Sequence, residues 1–457
     1  MLKFNVIEST IGQVQEAFKN GTLTCEELVR VYLNRIEENN LNSIISVNPN
    51  ALKIARELDA DLAAGKPMGP LHGIPVLVKD NCETEDMPTT AGSKSLEGLN
   101  TGRNADIVKS LINAKAVILA KTNLHEFAIW GETISSMLGQ TLNPYDTSRT
   151  PGGSSGGTGA AVADNLGLVG IGTDTVNSIR SPASACCLCG IRPTVGLFSG
   201  EGIIPYSNTQ DVAGPLARTV EDAVRVLSVL AGEDYINHLK TDGLSGKRLG
   251  VIHNFFGKEA INAPVTEVMA KAMLSLEEAG AVLVDIHDKI DSDWLVREVS
   301  VHLHELKAHL GEYLSSISSV PSISSIEDIL NSGKHSPSIK DSLQVANKLD
   351  IDSAVYKERL KLREDVKQMV IDILNKNQLD AFIFPHQQQL VCKVGESQQQ
   401  RNGALGSVTG YPAIVVPGGF ADGIPVGLEI LGRPFDERRI IEIAYGFEQN
   451  TMVRRSP

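Results

Sequence analysis

Two serine-bearing stretches and one lysine carry the chemistry open to this chain. Pro151-Gly-Gly-Ser-Ser-Gly-Gly-Thr158 sets four glycines around Ser154 and Ser155, and Gly172-Thr-Asp-Thr-Val-Asn-Ser178-Ile-Arg-Ser-Pro182 ends a buried apolar run at Ser178. A glycine loop lets backbone N–H groups approach whatever occupies it, because no Cβ stands in the way. Upstream, Leu71-His-Gly-Ile-Pro-Val-Leu-Val-Lys79-Asp80 reads as a short apolar strand that delivers Lys79 at its end. A serine hydroxyl is a weak nucleophile unless a base stands within hydrogen-bond reach. Lys79 can be that base only as the neutral amine, whereas a free lysine has a pKa of ~10.4. Burial lowers a lysine pKa by up to ~3–5 units, and the apolar run Ile74–Val78 ahead of Lys79 permits such burial. Asp80 would oppose the shift if it touched the amine, but strand alternation points it to the opposite face. Lys79, Ser154 and Ser178 are therefore the candidate catalytic residues.

The elements around them read as an α/β fold with a mixed, largely parallel central sheet flanked by helices. Amphipathic helices are expected at 9–20 and 25–39, the second opened by the capping box Thr24-Cys-Glu-Glu27, and a third at 50–64 stopping at Gly65. The Leu71–Lys79 strand, helix 105–113 and strand Ala116–Ala120 follow. Beyond the glycine loop come helix Thr158–Asn165 and strand Leu166–Ile171, which places Ser178 just past a strand end, where sites in open α/β sheets gather. Helix 219–232, strand Leu249–Ile252, helix 264–279 and strand Ala281–Asp285 continue the alternation. It breaks down over 288–376, where helical stretches flank a Ser/Ile-rich piece, Ser315–Ser325, and the segment reads as an insertion shaping the substrate mouth. Strands return at Leu379–Pro385, Ala413–Pro417 and Val426–Leu431 before helix 437–449. The 457 residues are expected to form a single domain, with 68–232 as its motif-bearing core.

Forty-two basic against 55 acidic side chains give a net charge of −13, with no strongly basic run, so nucleic acid and anionic membranes are poor partners. The N-terminus lacks an apolar stretch long enough for a signal peptide, and no run reaches the ~18 apolar residues of a membrane span. A cytoplasmic protein is expected. Six cysteines are too few for a disulfide framework. The cluster Cys186-Cys187-x-Cys189 reads as small hydrophobes in an apolar segment rather than as a metal site. His302, His304 and His309 read as a solvated helix face, since positions two apart on a helix diverge. Neither a metal nor another cofactor is expected.

These stretches together resemble the amidase signature family, whose serine hydrolases use a Ser–Ser–Lys triad. The likeness also takes in Ser46–Leu52, Pro70–Pro75, Thr89-Thr-Ala-Gly-Ser93, Asn143-Pro-Tyr-Asp146, Asp211–Thr219 and Ile424–Pro434, in family order. The resemblance implies Ser178 as nucleophile, Lys79 as base, and Ser154 as the relay between them, held by a cis peptide bond. It implies an oxyanion hole from the backbone N–H groups of Thr175, Val176, Asn177 and Ser178, with Ser155, Asp174 and Arg180 in support. One departure stands out: the family usually has Gly-Gly where this chain has Val176-Asn177. A β-branched residue tolerates positive φ poorly, so either φ at 176 is negative or strain of ~1–3 kcal/mol is held there. Two side chains now border the acyl site.

The expected activity is hydrolysis of small carboxylic amides or related carbamates, on a small-molecule substrate. One alternative is the glutaminase subunit of a tRNA-dependent amidotransferase, although this chain lacks the Arg- and Tyr-rich glutamine-recognition stretches found there. A second is a catalytically impaired binding module, through the Val176-Asn177 departure. A homodimer is compatible with all three. Gly152-x-Ser154-x-Gly156 also fits a nucleophile elbow, but that motif needs a preceding strand and a late histidine. Here a polar loop precedes it and no histidine follows His386. A nucleotide-binding loop would need Gly-Lys-Ser/Thr after the glycines, which is lacking.

Overall fold

The computed structural model describes residues 4–317 and 323–457. Its strands in chain order are β1 Ile44–Val47, β2 Pro75–Lys79, β3 Val117–Thr122, the short pair β4 Ile134–Ser135 and β5 Gly139–Gln140, β6 Val169–Asp174, β7 Cys189–Arg192, β8 Val212–Ala217, β9 Arg248–Ile252, β10 Val282–Ile286, β11 Ala381–Pro385, β12 Ala413–Ala421 and β13 Ile424–Leu431. All but β4 and β5 join one eleven-stranded sheet, ordered β1-β3-β2-β6-β8-β7-β12-β13-β11-β9-β10. The expected mixed α/β sheet flanked by helices is thus present. Parallel pairing occupies two wings, β3-β2-β6 and β11-β9-β10, while the strands between them run antiparallel.

Because β2 and β6 are parallel neighbours, their carboxyl ends lie on the same edge of the sheet. That edge carries both Lys79, at the end of β2, and the segment after Asp174, at the end of β6. Strand β2, expected over Leu71–Lys79, begins at Pro75 rather than Leu71, since Gly73 turns the chain at a φ of +70°. Three strands of the large sheet are absent from the sequence reading, β1, β7 and β8, as is the short pair β4 and β5. The Gly-Pro pair inside β8 argues against a strand, yet β8 pairs fully with β6 and is buried throughout.

The N-terminal helices form as the caps require. Thr24 Oγ1 accepts from Glu27 N–H while the Glu27 carboxylate accepts from Thr24 N–H, completing the expected box at the start of Cys25–Glu38. In the 288–376 region, helices His302–Ser315, Ile326–Ser332, Lys340–Ala346 and Ala354–Lys376 account for most of the chain. Residues 318–322 of the Ser/Ile-rich stretch lie outside the described residues. His302, His304 and His309 correct one expectation. They are not on a solvated face: His304 is buried, the others half-buried, and the His302 ring stands edge-on to Tyr206 at 5.2 Å. The helix packs Leu306, Leu310 and Leu314 into an apolar cluster with Phe127 and Ile129, so the faces flanking that stripe are covered as well. Cys186, Cys187 and Cys189 are fully buried in the apolar interior.

Two carboxylates outside the site invite a stability test. Glu448 accepts from Val220 N–H at 2.7 Å and Asp222 from Ile11 N–H at 3.0 Å. Burial pushes them up to about 7 and about 6 respectively. The folded chain therefore holds these protons to higher pH than the unfolded chain does, and the associated stability, full below ~4.3, is lost as pH rises toward 7. Glu448→Gln should flatten the decline in Tm between pH 4.5 and 7; an unchanged slope would show that Glu448 is not its source.

Candidate active site

Lys79 is completely buried, and its Nζ lies 2.7 Å from Ser154 Oγ, 2.8 Å from Thr173 Oγ1 and 3.3 Å from Thr173 O. Asn81 Nδ2 donates to the same Thr173 hydroxyl at 3.1 Å. No carboxylate forms an ion pair with the Lys79 amine among the described residues. Burial accordingly brings its pKa down to about 7, opposed only by the fields of Cys82, Asp174 and Asp211. Asp80 faces away, as alternation requires: its Oδ1 is 3.3 Å from Lys121 Nζ, and its Oδ2 accepts from Thr90 Oγ1 and Thr90 N–H. The sheet thus buries two lysines on adjacent strands, one paired with a carboxylate and one not.

Ser154 is held by its backbone. The Gly153–Ser154 peptide is cis, and the Ser154 carbonyl accepts from His125 N–H at 3.0 Å. Glycine is required at 156 and 157 by close approach: a Cβ would stand 2.2 Å from Thr133 Oγ1 at Gly156 and 2.1 Å from the Asn123 carbonyl oxygen at Gly157. The helix that starts there, Gly156–Ala163, is buried on every side. Ser155 clips the loop to β6, its Oγ donating to Thr173 O at 3.0 Å and accepting from Thr173 N–H at 3.2 Å. Ser155 N–H in turn donates to Ser178 O at 3.2 Å, which ties the two serine stretches together. Ser178 itself is 4% exposed, and its hydroxyl makes no hydrogen bond among the described residues.

Residues 175–178 are clamped from behind. Arg180 donates through Nε and Nη2 to Asp174 at 3.1 and 3.2 Å, through Nη2 to Val176 O at 2.6 Å, and through Nη1 to Glu429. Arg192 Nη1 donates to the Asp174 carboxylate at 2.9 Å and to its carbonyl at 2.6 Å. Burial disfavours the Asp174 carboxylate, but Arg180 and then Arg192 overcome that, so its pKa falls below the usual range. Thr175 Oγ1 donates to Asp211 at 2.6 Å, and Ser407 Oγ donates to Thr175 O at 2.5 Å. The carbonyls of all four residues are engaged, whereas the N–H groups of Val176, Asn177 and Ser178 are left without acceptors among the described residues. Neither Val176 nor Asn177 has a positive φ, which settles the conformational question their side chains raised. Val176 packs instead against the cluster of Leu295, Val299 and Leu405.

All the candidate residues of the two serine stretches and the strand-end lysine thus share one site. Sequence reasoning missed Thr173, Asn81, His125, Arg192, His386 and Glu429. Glu429 had a usable signal: an acid within the apolar run Val426–Leu431 must find a buried partner, here Arg180.

A lysine acting as the neutral base makes the site pH-dependent in a defined direction. Activity in kcat/KM should rise with pH and level off with an acid-limb midpoint near the Lys79 value of about 7. A midpoint near that of an ordinary lysine, ~10.4, would show that Lys79 is not the titrating group.

Residues 27–441 match the family model described as Amidase. A peptide amidase from Stenotrophomonas maltophilia is 35% identical with a TM-score of 0.90, over 98% of each chain. The glutamyl-tRNA(Gln) amidotransferase chain of Thermotoga maritima is 27% identical with a TM-score of 0.78, over 98% of this chain and 96% of that one. Among sequence relatives, the corresponding glutamyl-tRNA(Gln) amidotransferase chain of Thermoanaerobacter pseudethanolicus is 33% identical over 98% of this chain and 97% of its own length. The fold is that of amidase signature enzymes, and the chain belongs to the amidase family. No helix among the described residues is long and apolar enough to cross a membrane.

Proposed function

We propose that this chain is a serine amidase that hydrolyses small carboxylic amides through a Ser178 acyl-enzyme. The observation that carries the reading is the buried, carboxylate-free Lys79 amine 2.7 Å from Ser154 Oγ, in a loop tied by its backbone to Ser178. Ser178 Oγ adds to the carbonyl carbon while its proton passes to Ser154, whose own proton passes to Lys79. The oxyanion is stabilised by the free N–H groups of residues 176–178, joined by that of Thr175. Lys79, now an ammonium, returns a proton through Ser154 to the leaving nitrogen, the C–N bond breaks, and ammonia or an amine departs. Water then attacks the ester by the reverse relay and frees the acid and Ser178. Each step uses side chains and backbone of this chain. Asp174 and Arg180 keep the loop in position, and Ser155 joins it to the relay.

A role for the 288–376 region at the substrate mouth is supported by three contacts. Ser336 N–H donates to Glu126 at 3.0 Å, Ser338 Oγ lies 3.1 Å from His125 Nε2, and Trp130 Nε1 donates to Ser342 at 2.9 Å. The segment 125–130 so covered is the one that holds the Ser154 carbonyl.

The likeness to the glutamyl-tRNA(Gln) amidotransferase chains favours a second reading, a glutaminase that works together with partner chains. A panel of primary amides with released ammonia as readout separates the two. The purified chain alone should turn over small amides. Ammonia release from glutamine alone, and only with co-purified partner chains present, would replace the first reading by the second.

A further inference from the structure

Trp130 is the one large hydrophobic residue left exposed in the segments that surround the site, 125–133, 151–158, 174–182 and 397–403, with 51% of its surface uncovered. Its backbone is held in a conformation that bulky residues rarely take. The φ of Trp130 is +74°, and Phe127, Ala128 and Thr133 nearby have φ of +53°, +59° and +59°. Strain of this kind persists only where the surroundings enforce it, and it gathers at active sites and ligand clamps. Two contacts place the residue. Gly131 crosses Gly153 so closely that a Cβ on Gly153 would stand 2.8 Å from Gly131 C, which puts Trp130 one residue from the chain packed on the Ser154 loop. On the other side, Trp130 Nε1 donates to Ser342 Oγ at 2.9 Å, on the helix Lys340–Ala346 of the 288–376 region. The indole has no other polar atom, so what remains exposed is apolar ring. Around it the rim is polar: Arg401 pairs with Glu132 and stands 3.0 Å from where a Gly131 Cβ would lie, and His125 Nε2 is 3.1 Å from Ser338 Oγ. A single ring in such a rim is too small a patch for a protein partner and suits one flat apolar group.

We infer that Trp130 is a specificity-determining residue at the substrate mouth, a platform on which an aromatic ring of the substrate stacks, and that Ser342 is the residue that positions it. The substrate class is then carboxylic amides that carry an aryl group on a short chain, either on the acyl side or on the amine side of the scissile bond. Stacking against a fixed indole adds to the burial of the ring, because the hydrogen bond to Ser342 has already limited the rotation of the side chain. The inference rests on the proposed relay through Ser154 and Ser178, since that relay puts the scissile bond beside the loop that Gly131 packs against.

The test compares 3-phenylpropanamide with propanamide and N-benzylacetamide with N-methylacetamide, so that the two aryl amides separate a ring on the acyl side from one on the amine side. In kcat/KM at least one aryl amide should exceed its parent roughly tenfold. Trp130→Gly removes the ring and takes a positive φ freely, and it should bring that ratio near one. Ser342→Ala should lower the ratio part of the way, through KM more than kcat, and Ser342→Thr, which keeps the hydroxyl, should restore it. Binding is read separately by fluorescence. The chain has two tryptophans, so in the full-length Ser178→Ala, Trp294→Phe protein Trp130 is the sole indole emitter. Its emission should change saturably with the preferred aryl amide and stay constant with the parent. No aryl preference without substitution, or a preference that survives Trp130→Gly, overturns the inference; if Trp130→Gly fails to fold, a Trp130 emission unmoved by the aryl amides does so. Turnover of the parents without an aryl preference would overturn the platform and leave the amidase reading standing. A saturable emission change without turnover of any amide would do the reverse.

Discussion

Ser178→Ala should lower amide turnover by about a million-fold, the loss that serine hydrolases show on losing the nucleophile. The loss is chemical rather than structural. The Ser178 hydroxyl bonds to nothing among the described residues, while the backbone contacts that hold its loop, from Ser155 N–H to Ser178 O and from Arg180 to Val176 O, do not involve it. Removing one oxygen from a nearly buried residue with no hydrogen bond to lose should leave Tm within a degree or two, since substitutions that spare such features usually stay within ~0.5 kcal/mol. Activity and stability measured together on this variant therefore separate two accounts. Residual turnover within tenfold of the unsubstituted chain would transfer the nucleophile's role to another group, and Ser154 would be the first to examine.

The second large effect is at Lys79, and its value as a test comes from the contrast with Lys121. Lys79→Met keeps the volume of the side chain and removes the amine. The rate should fall by about 100- to 10,000-fold, the range a positioned general base supplies, and Lys79→Ala should do at least as much. Stability should hold or rise, because a buried amine without a carboxylate partner carries a desolvation cost that an apolar side chain avoids. Lys121 occupies the neighbouring strand and is equally buried, yet its amine neutralises Asp80 at 3.3 Å. Lys121→Met strands that carboxylate and should cost about 3–5 kcal/mol by loss of one member of a buried pair. Thermal melts and single-turnover rates on the two variants check both halves. An equal loss of stability in Lys79→Met and Lys121→Met would mean that Lys79 is a structural cation rather than a free base.

The positions of the two serine stretches and of Lys79 were legible because each is fixed by strong local signals. The glycines mark a loop that other backbone crosses closely, as Gly156 and Gly157 against Thr133 and Asn123 now show. The burial of Lys79 followed from the apolar run before it, and the opposite facing of Asp80 from alternation alone. What the chain does not announce locally is long-range pairing. Strands β7 and β8 carry Gly, Pro and a buried arginine that argue against a sheet, and only their neighbours β6 and β12 make them strands. The arginine is Arg192, whose partner Asp174 stands 18 residues away in another strand. Likewise His386 and Glu429 lie 43 residues apart, and nothing in either segment points to the other. The three histidines of the 302–309 region were misplaced for a related reason. Their periodicity gives a helix, but the covering of its flanks comes from elements far along the chain, such as Tyr206 and Tyr356.

The central claim, that Ser178 is the group acylated, is tested most directly by treating the intact protein with a fluorophosphonate and mapping the adduct by peptide mass spectrometry. The account predicts one adduct, on Ser178, formed faster as pH rises through about 7 with the deprotonation of Lys79 and absent from Lys79→Met on the same timescale. An adduct on Ser154, or labelling of Ser178 that proceeds undiminished without Lys79, would contradict it.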